Sequence, residues 1–313
     1  MCMLISTICA LRRSEMKQFH PWLKCLLIFP FWVCCLTACV NHEQVFLSKE
    51  KLMLAEQHPN DHLEHEVMVA QISELLLVKG LKKEERAILH FERGVLYDSL
   101  GLWALARYDF DQTLALYPKL AAAFNYLGLY LLLEEDYSAS LDIFNVLFEL
   151  DPQYEYAFLN RGLNFYYVGR YELAQRDFLQ FYQADKSDPY RTLWLYLNEL
   201  KHNPQDASKN LAQRAMGLSD EYWGTYLVQY YLGKLSVKAL FAQAQQFAQM
   251  NRAKYAEILT ETYFYLAKLK LNSGQINEAE TLFKLAIANQ VYNFVEYRFA
   301  LFELLKLKQS SKP

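Results

Sequence analysis

Three histidines lie at a spacing that could place them on one face of a helix, and imidazole is a common metal ligand. His58, His62 and His65 stand at i, i+4 and i+7, with two glutamates beside them, so a metal site can be drawn here. However, Pro59 interrupts any helix between His58 and His62. The local order of histidine and glutamate also lacks the HExxH pattern of zinc proteases. We therefore expect a solvated polar face rather than a metal site.

The remaining polar residues show no catalytic pattern. The chain has no G-x-S-x-G motif, no P-loop and no dinucleotide-binding glycine motif. Acidic clusters at 83–85 and 134–136 fall at predicted helix starts or turns. There they suit hydration and the helix dipole better than glycoside hydrolysis. We expect no catalytic residue, no cofactor and no enzymatic activity.

Cysteine chemistry is confined to the first 39 residues, which hold all six cysteines. From Met16, a short basic start and about 14 apolar residues lead to Leu-Thr-Ala-Cys at 36–39. This run is too short to span a bilayer comfortably and fits a secretory signal. Its ending resembles a bacterial lipobox, which predicts diacylation of Cys39, with palmitate as a typical acyl chain. Two or three acyl chains on one residue give stable membrane anchoring. The cysteines are Cys2, Cys9, Cys25, Cys34, Cys35 and Cys39.

Residues 1–38 are therefore predicted to be a signal peptide whose true start is Met16. The alternatives are an ordinary signal peptide or a membrane anchor. A twin-arginine signal at Arg12 and Arg13 is disfavoured, because Ser14 and Glu15 follow where apolar residues are needed. Val40 follows the cysteine where aspartate would favour retention in the inner membrane. We therefore expect an outer-membrane protein that faces the periplasm.

The predicted mature chain is acidic. Removing residues 1–38, with four basic and one acidic side chain, leaves 28 basic and 34 acidic side chains, a net charge of −6. No basic cluster occurs, which argues against nucleic-acid binding. Without a cysteine beyond the lipidated one, thiol chemistry is excluded and the domain must be stabilised by packing alone.

A repeat of 34 residues organises the chain. Units that begin at 87, 121 and 155 place glycine at their eighth position and phenylalanine 16 residues later. Glycine lets two helices approach closely, and the aromatic ring fills the space between helices. This is the period of tetratricopeptide (TPR) units, which are helical hairpins that stack into a superhelix. The repeat residues are Gly94, Gly128, Gly162, Phe110, Phe144 and Phe178.

The fold class expected is all-α, a TPR superhelix with an N-terminal helix and a C-terminal capping helix. TPR units are predicted near 87–120, 121–154, 155–188 and 260–293, with two divergent helical hairpins over 189–259. A lipidated tether over 39–60 precedes the array, which covers 61–308, and a tail over 309–313 follows. The N-terminal helix is expected either to cap the array or to pair with a second protomer.

The inner positions of the first helices predict a protein-binding groove. These positions are mainly apolar or aromatic, which suits a helix or an extended apolar peptide. The alternative is that some of them pack against the N-terminal helix or the C-terminal cap. The predicted groove residues are Phe91, Val95, Asn125, Leu129, Leu132, Leu159, Leu163 and Tyr166.

Several segments are more specific than the TPR consensus. Those over 92–118, 124–131, 149–170, 188–197 and 282–304 resemble the NlpI family of TPR lipoproteins. The resemblance covers about residues 60–305 together with the lipobox. It implies a homodimeric outer-membrane adaptor that binds peptidoglycan hydrolases, notably a murein endopeptidase, and delivers them to a tail-specific periplasmic protease. Roles in cell division and envelope integrity would follow. The alternative is an assembly factor resembling a pilotin, for an outer-membrane or pilus complex.

Overall fold

The helical repeat predicted from the sequence is present in a computed structural model of the chain, which describes Met53, Ala55 and residues 62–310. Fourteen α-helices and a short 3₁₀ turn make up this part of the chain, which contains no strand. Apart from Met53, it belongs to one compact unit, Leu54–Pro313. The helices are α1 (Leu63–Leu76), α2 (Lys83–Ser99), α3 (Trp103–Leu116), α4 (Ala121–Leu133), α5 (Tyr137–Leu150), α6 (Glu155–Tyr167), α7 (Tyr171–Ala184), α8 (Pro189–His202), α9 (Pro204–Arg214), α10 (Gly224–Tyr231), α11 (Val237–Ala248), α12 (Arg252–Asn272), α13 (Ile276–Ala288) and α14 (Val295–Ser310).

Three TPR hairpins, α2–α3, α4–α5 and α6–α7, are built on the same glycine–phenylalanine contact. A Cβ atom added to Gly94 would lie 2.8 Å from the Phe110 ring, and the other two hairpins give the same distance. All three phenylalanines are fully buried. Each ring therefore packs directly against the glycine of its own hairpin. The all-α TPR fold is confirmed.

The turns inside these hairpins need a residue in the left-handed region. Gly101 and Gly169 supply it, with φ of 73° and 77°, at no steric cost. The second hairpin uses Glu135, with φ of 63°. Its carboxylate accepts a hydrogen bond of 3.1 Å from Gln309 Nε2 and lies 3.5 Å from Lys306 Nζ. Because both partners lie on α14, the residue that breaks the glycine pattern is held by the last helix.

The divergent middle of the chain continues the stack. Asn164 Nδ2 donates to the Tyr137 carbonyl, and Asn198 Nδ2, 34 residues on, donates to the Tyr171 carbonyl. The same bond therefore links α6 to α5 and α8 to α7. Helix α10 begins at Gly224. The preceding Trp223 is buried, and its indole N–H donates to Thr262 Oγ1 at 2.9 Å.

The two ends of the array are closed by helices outside the repeat. Helix α1 packs on α2, where Arg93 Nη1 donates to Ser73 Oγ at 2.9 Å and Arg86 Nη1 donates to the Leu76 carbonyl at 2.7 Å. Helix α14 packs on α12 and α13, contacts α4 and reaches α2 of the first hairpin. There Arg298 forms a buried ion pair with Asp98, 200 residues earlier. Among the helices described, none is long and apolar enough to cross a membrane.

Candidate functional site

The predicted groove residues lie on the first helices of the three TPR hairpins, but most of them are not open to solvent. Five are buried in the single chain, and the other three are half-buried. Direct contact with a partner therefore stays a prediction, and it would require neighbouring helices to move. The buried five are Leu129, Leu132, Leu159, Leu163 and Tyr166; the half-buried three are Phe91, Val95 and Asn125.

Contacts within the array account for the half-buried residues. The Phe91 ring lies 5.7 Å from Phe110, and Val95 packs on the same cluster between α2, α3 and α4. Asn125 Oδ1 accepts a hydrogen bond of 2.9 Å from Asn160 Nδ2. These side chains join adjacent TPR units to each other.

Helices α12 and α14 cover the end of α6. The Lys268 ammonium of α12 lies 4.9 Å above the Tyr166 ring and donates to Glu303 of α14 at 2.5 Å. Tyr167 donates to the same carboxylate at 2.9 Å and stacks on Phe299 at 5.3 Å. The C-terminal helix thus occupies space that the sequence assigned to a groove, as the alternative considered there anticipated.

A cleft remains open beside α14. It lies between α3, the end of α4 and α14, and has a volume of about 430 Å³. This size is within the range of small-ligand sites. Most of its walls are apolar side chains. It is lined by Trp103, Ala104, Arg107, Tyr130, Leu133, Glu134, Arg298, Leu301, Phe302 and Leu305.

Two ion pairs border this cleft and differ in exposure. Arg107 and Glu134 pair at 2.5 Å, with side chains 38% and 57% exposed. The Arg298–Asp98 pair is buried, and Tyr130 donates to Asp98 at 2.5 Å. Burial, and next the charge of Asp98, raise the pKa of the Tyr130 phenol, so it stays a donor at physiological pH. The first pair can open to solvent and the second cannot.

Helix α1 leaves much apolar surface uncovered. One face packs on α2, while six large apolar side chains on α1 and directly after it are more than two-fifths exposed. Exposed apolar surface of this kind is typical of protein-interaction sites. The six are Leu63, Val67, Met68, Leu75, Leu77 and Val78.

The histidines take up structural positions. The His62 ring lies 5.9 Å from the Tyr292 ring, and His65 Nδ1 is 2.9 Å from Ser99 Oγ. No group of three possible metal ligands gathers anywhere in the part of the chain that the structure describes. His58 and the predicted lipidation site Cys39 lie outside that part.

Sequence reasoning missed the cleft, because its walls come from segments far apart in the chain. Trp103 and Leu305 are about 200 residues apart, and no periodicity links them. One feature of the sequence indicates that α14 has further contacts. It carries leucine at 301, 304, 305 and 307, which is more apolar surface than packing against a single helix would bury.

Comparison with known proteins identifies the family. No family model matches the chain. The curated lipoprotein NlpI homolog of Haemophilus influenzae is 65% identical over 285 residues, which cover 90% of each chain. Among solved structures, a tetratricopeptide repeat protein from Parabacteroides merdae is 18% identical with a TM-score of 0.45, over 80% of this chain and 93% of its own. Yeast Tom70 is 17% identical with the same TM-score of 0.45, over 82% of this chain and 61% of its own. The likeness to the Haemophilus lipoprotein, over nearly the whole of both chains, shows that this chain belongs to the NlpI lipoprotein family.

Proposed function

We propose that this protein is a TPR adaptor anchored by acyl chains on Cys39 to the outer membrane and facing the periplasm. It binds peptidoglycan hydrolases, notably a murein endopeptidase, and a tail-specific periplasmic protease. By bringing these together it controls hydrolase turnover, and through it cell-wall growth and cell division. The adaptor catalyses no reaction itself and acts as a homodimer.

The observation that carries this proposal is the 65% identity to the Haemophilus lipoprotein over 90% of both chains. The TPR fold supports it, because stacked helical hairpins present extended surfaces for other proteins. The uncovered apolar residues of α1 support self-association, since such a surface is costly to leave in water. The predicted groove residues support partner binding only if α12 or α14 moves, because five of them are buried.

Affinity capture tests the adaptor role. The full-length protein with a C-terminal tag is solubilised from envelopes in mild detergent, and its partners are identified by mass spectrometry. We expect an endopeptidase and a protease to be recovered together. Deleting the gene should lengthen the lifetime of the endopeptidase. Recovery of an outer-membrane assembly component instead, with its level falling on deletion, would favour the pilotin-like alternative and contradict the proposal.

A further inference from the structure

The cleft between α3, α4 and α14 has a chemical asymmetry. Its walls are apolar, and the charged or polar side chains that border it are mainly hydrogen-bond donors. Arg107 and Arg298 each line it with a guanidinium. Trp103, also in the wall, has an indole N–H that is buried and makes no hydrogen bond. A buried donor without a partner is costly to maintain.

The backbone adds to this excess of donors. Trp103 and Ala104 are the first two residues of α3, and no side chain caps this helix. The first N–H groups of a helix lack intrahelical acceptors and favour negative charge. The only carboxylate in the lining is Glu134, which already pairs with Arg107. The cleft therefore combines apolar walls with a group of hydrogen-bond donors at its edge, which suit one carboxylate.

We propose that this cleft binds the carboxyl-terminal residue of a partner polypeptide. The apolar side chain of that residue fills the cavity against Leu301 and Leu305, and its terminal carboxylate takes the place of Glu134 on Arg107. The exchange is easy, because an exposed ion pair such as Arg107–Glu134 contributes little stability. Glu134 also lies at the C-terminal end of α4, where a negative charge is unfavourable.

The size of the cavity favours a chain end over a longer element. A volume of about 430 Å³ is at the lower end of the range of small-ligand sites, which a chain end with one or two apolar side chains can fill. A terminal carboxylate provides the charge that complements Arg107 directly beside the last side chain, whereas an internal segment would need an aspartate or glutamate at that position. The inference rests on the proposed role in binding polypeptides and specifies one kind of ligand for it.

Fluorescence anisotropy with short labelled peptides tests the proposal. One peptide ends in Ala-Leu with a free carboxylate, and its partner is identical but amidated. We expect the free acid to bind full-length protein about tenfold more tightly, as the loss of a charged hydrogen bond implies. Arg107→Gln should remove that preference, while Glu134→Gln should strengthen binding of the free acid by freeing Arg107.

The matched control is the exposed Arg176–Glu172 pair on α7, whose side chains are both 69% exposed. Arg176→Gln and Glu172→Gln should leave both affinities unchanged. Equal binding of the acid and the amide, or no binding of either, would overturn the proposal. Recovery of the endopeptidase and protease by affinity capture is independent of these outcomes, so failure of the cleft leaves the adaptor role standing.

Discussion

The glycine at the eighth position of each TPR unit determines how closely the two helices of a hairpin pack. At Gly128, an added Cβ would lie 2.8 Å from two atoms of the Phe144 ring. We expect Gly128→Ala to destabilise the protein by about 1–3 kcal/mol, because overpacking outweighs the better helix propensity of alanine. Urea unfolding followed by circular dichroism measures the change.

Gly217 provides the control for this substitution. A Cβ there would meet nothing within 4 Å, so Gly217→Ala should change stability by no more than about 0.5 kcal/mol. Adding Phe144→Leu to Gly128→Ala should recover part of the loss, since a smaller side chain makes room for the methyl group. Destabilisation of equal size at both glycines would show that the ring contact is not its cause.

Two buried carboxyls at the junction of α8, α12 and α14 make stability depend on pH. Tyr190 donates to Glu261 at 2.5 Å, and Tyr265 donates to Glu296 at 2.9 Å. Burial, followed by the charge of Glu296, raises the pKa of Glu261 well above its usual value, and burial raises the pKa of Glu296. A carboxyl with a raised pKa in the folded state contributes stability below its unfolded pKa of about 4.3 and loses it as pH rises through the folded pKa.

Glu261→Gln should therefore raise the melting temperature at pH 7–8. At this pH the glutamate ionises readily in the unfolded chain, which favours unfolding, whereas glutamine is neutral in both states. The gain should shrink as pH falls below the unfolded pKa, towards about pH 3.5, where the glutamate is mostly protonated in both states. Thermal melts across this pH range measure it. A gain independent of pH would indicate a packing effect instead of ionisation.

At the scale of elements, α14 is held by buried charges rather than by apolar contact alone. The Arg298–Asp98 pair joins it to α2 with both side chains almost fully buried. Arg298→Met leaves Asp98 buried without its cation, which should cost about 3–5 kcal/mol. Replacing both residues, as Asp98→Leu with Arg298→Met, should cost less than the single change. Chemical denaturation of the single and double variants gives these values.

The exposed Arg107–Glu134 pair serves as the comparison. Because both side chains reach solvent, Arg107→Gln should cost no more than about 1 kcal/mol. A similar cost at Arg298 would mean that the buried pair does not secure α14.

The sequence predicted the repeated elements well because their causes are local. Glycine and phenylalanine recur at a fixed period, so the sequence alone predicts a stack of similar helical hairpins. The role of α14 and the cleft could not be predicted, because contacts such as Arg298 with Asp98 join residues 200 positions apart. The burial of Leu132 and Tyr166 could be predicted only as an alternative, for the same reason. Apolar inner positions look alike whether a partner or the chain's own last helix covers them.

At the scale of the whole molecule, the uncovered apolar side chains of α1 are the surface we propose for the homodimer. Val67 and Leu75 are 46% and 50% exposed, so charge there should not disturb the fold. Val67→Glu with Leu75→Glu should convert the dimer to a monomer in sedimentation-velocity experiments. Leu179→Glu, at an exposed leucine of α7 (37% exposed), should leave the mass unchanged. A dimer that survives the double change must associate through another surface.

The contact between α14 and the first hairpin has a consequence for how the molecule comes apart. In an open solenoid each repeat touches only its neighbours, so terminal repeats can peel away while the centre stays folded. Here the first hairpin cannot detach without breaking the Asp98–Arg298 pair, which ties both ends of the array into one cooperative unit. Local openings should therefore be rare in the first repeat as well as in the middle, and amide hydrogen exchange should be comparably slow in both. For a protein proposed to work beside a protease, this matters directly, because loosened segments are where proteolytic cleavage begins.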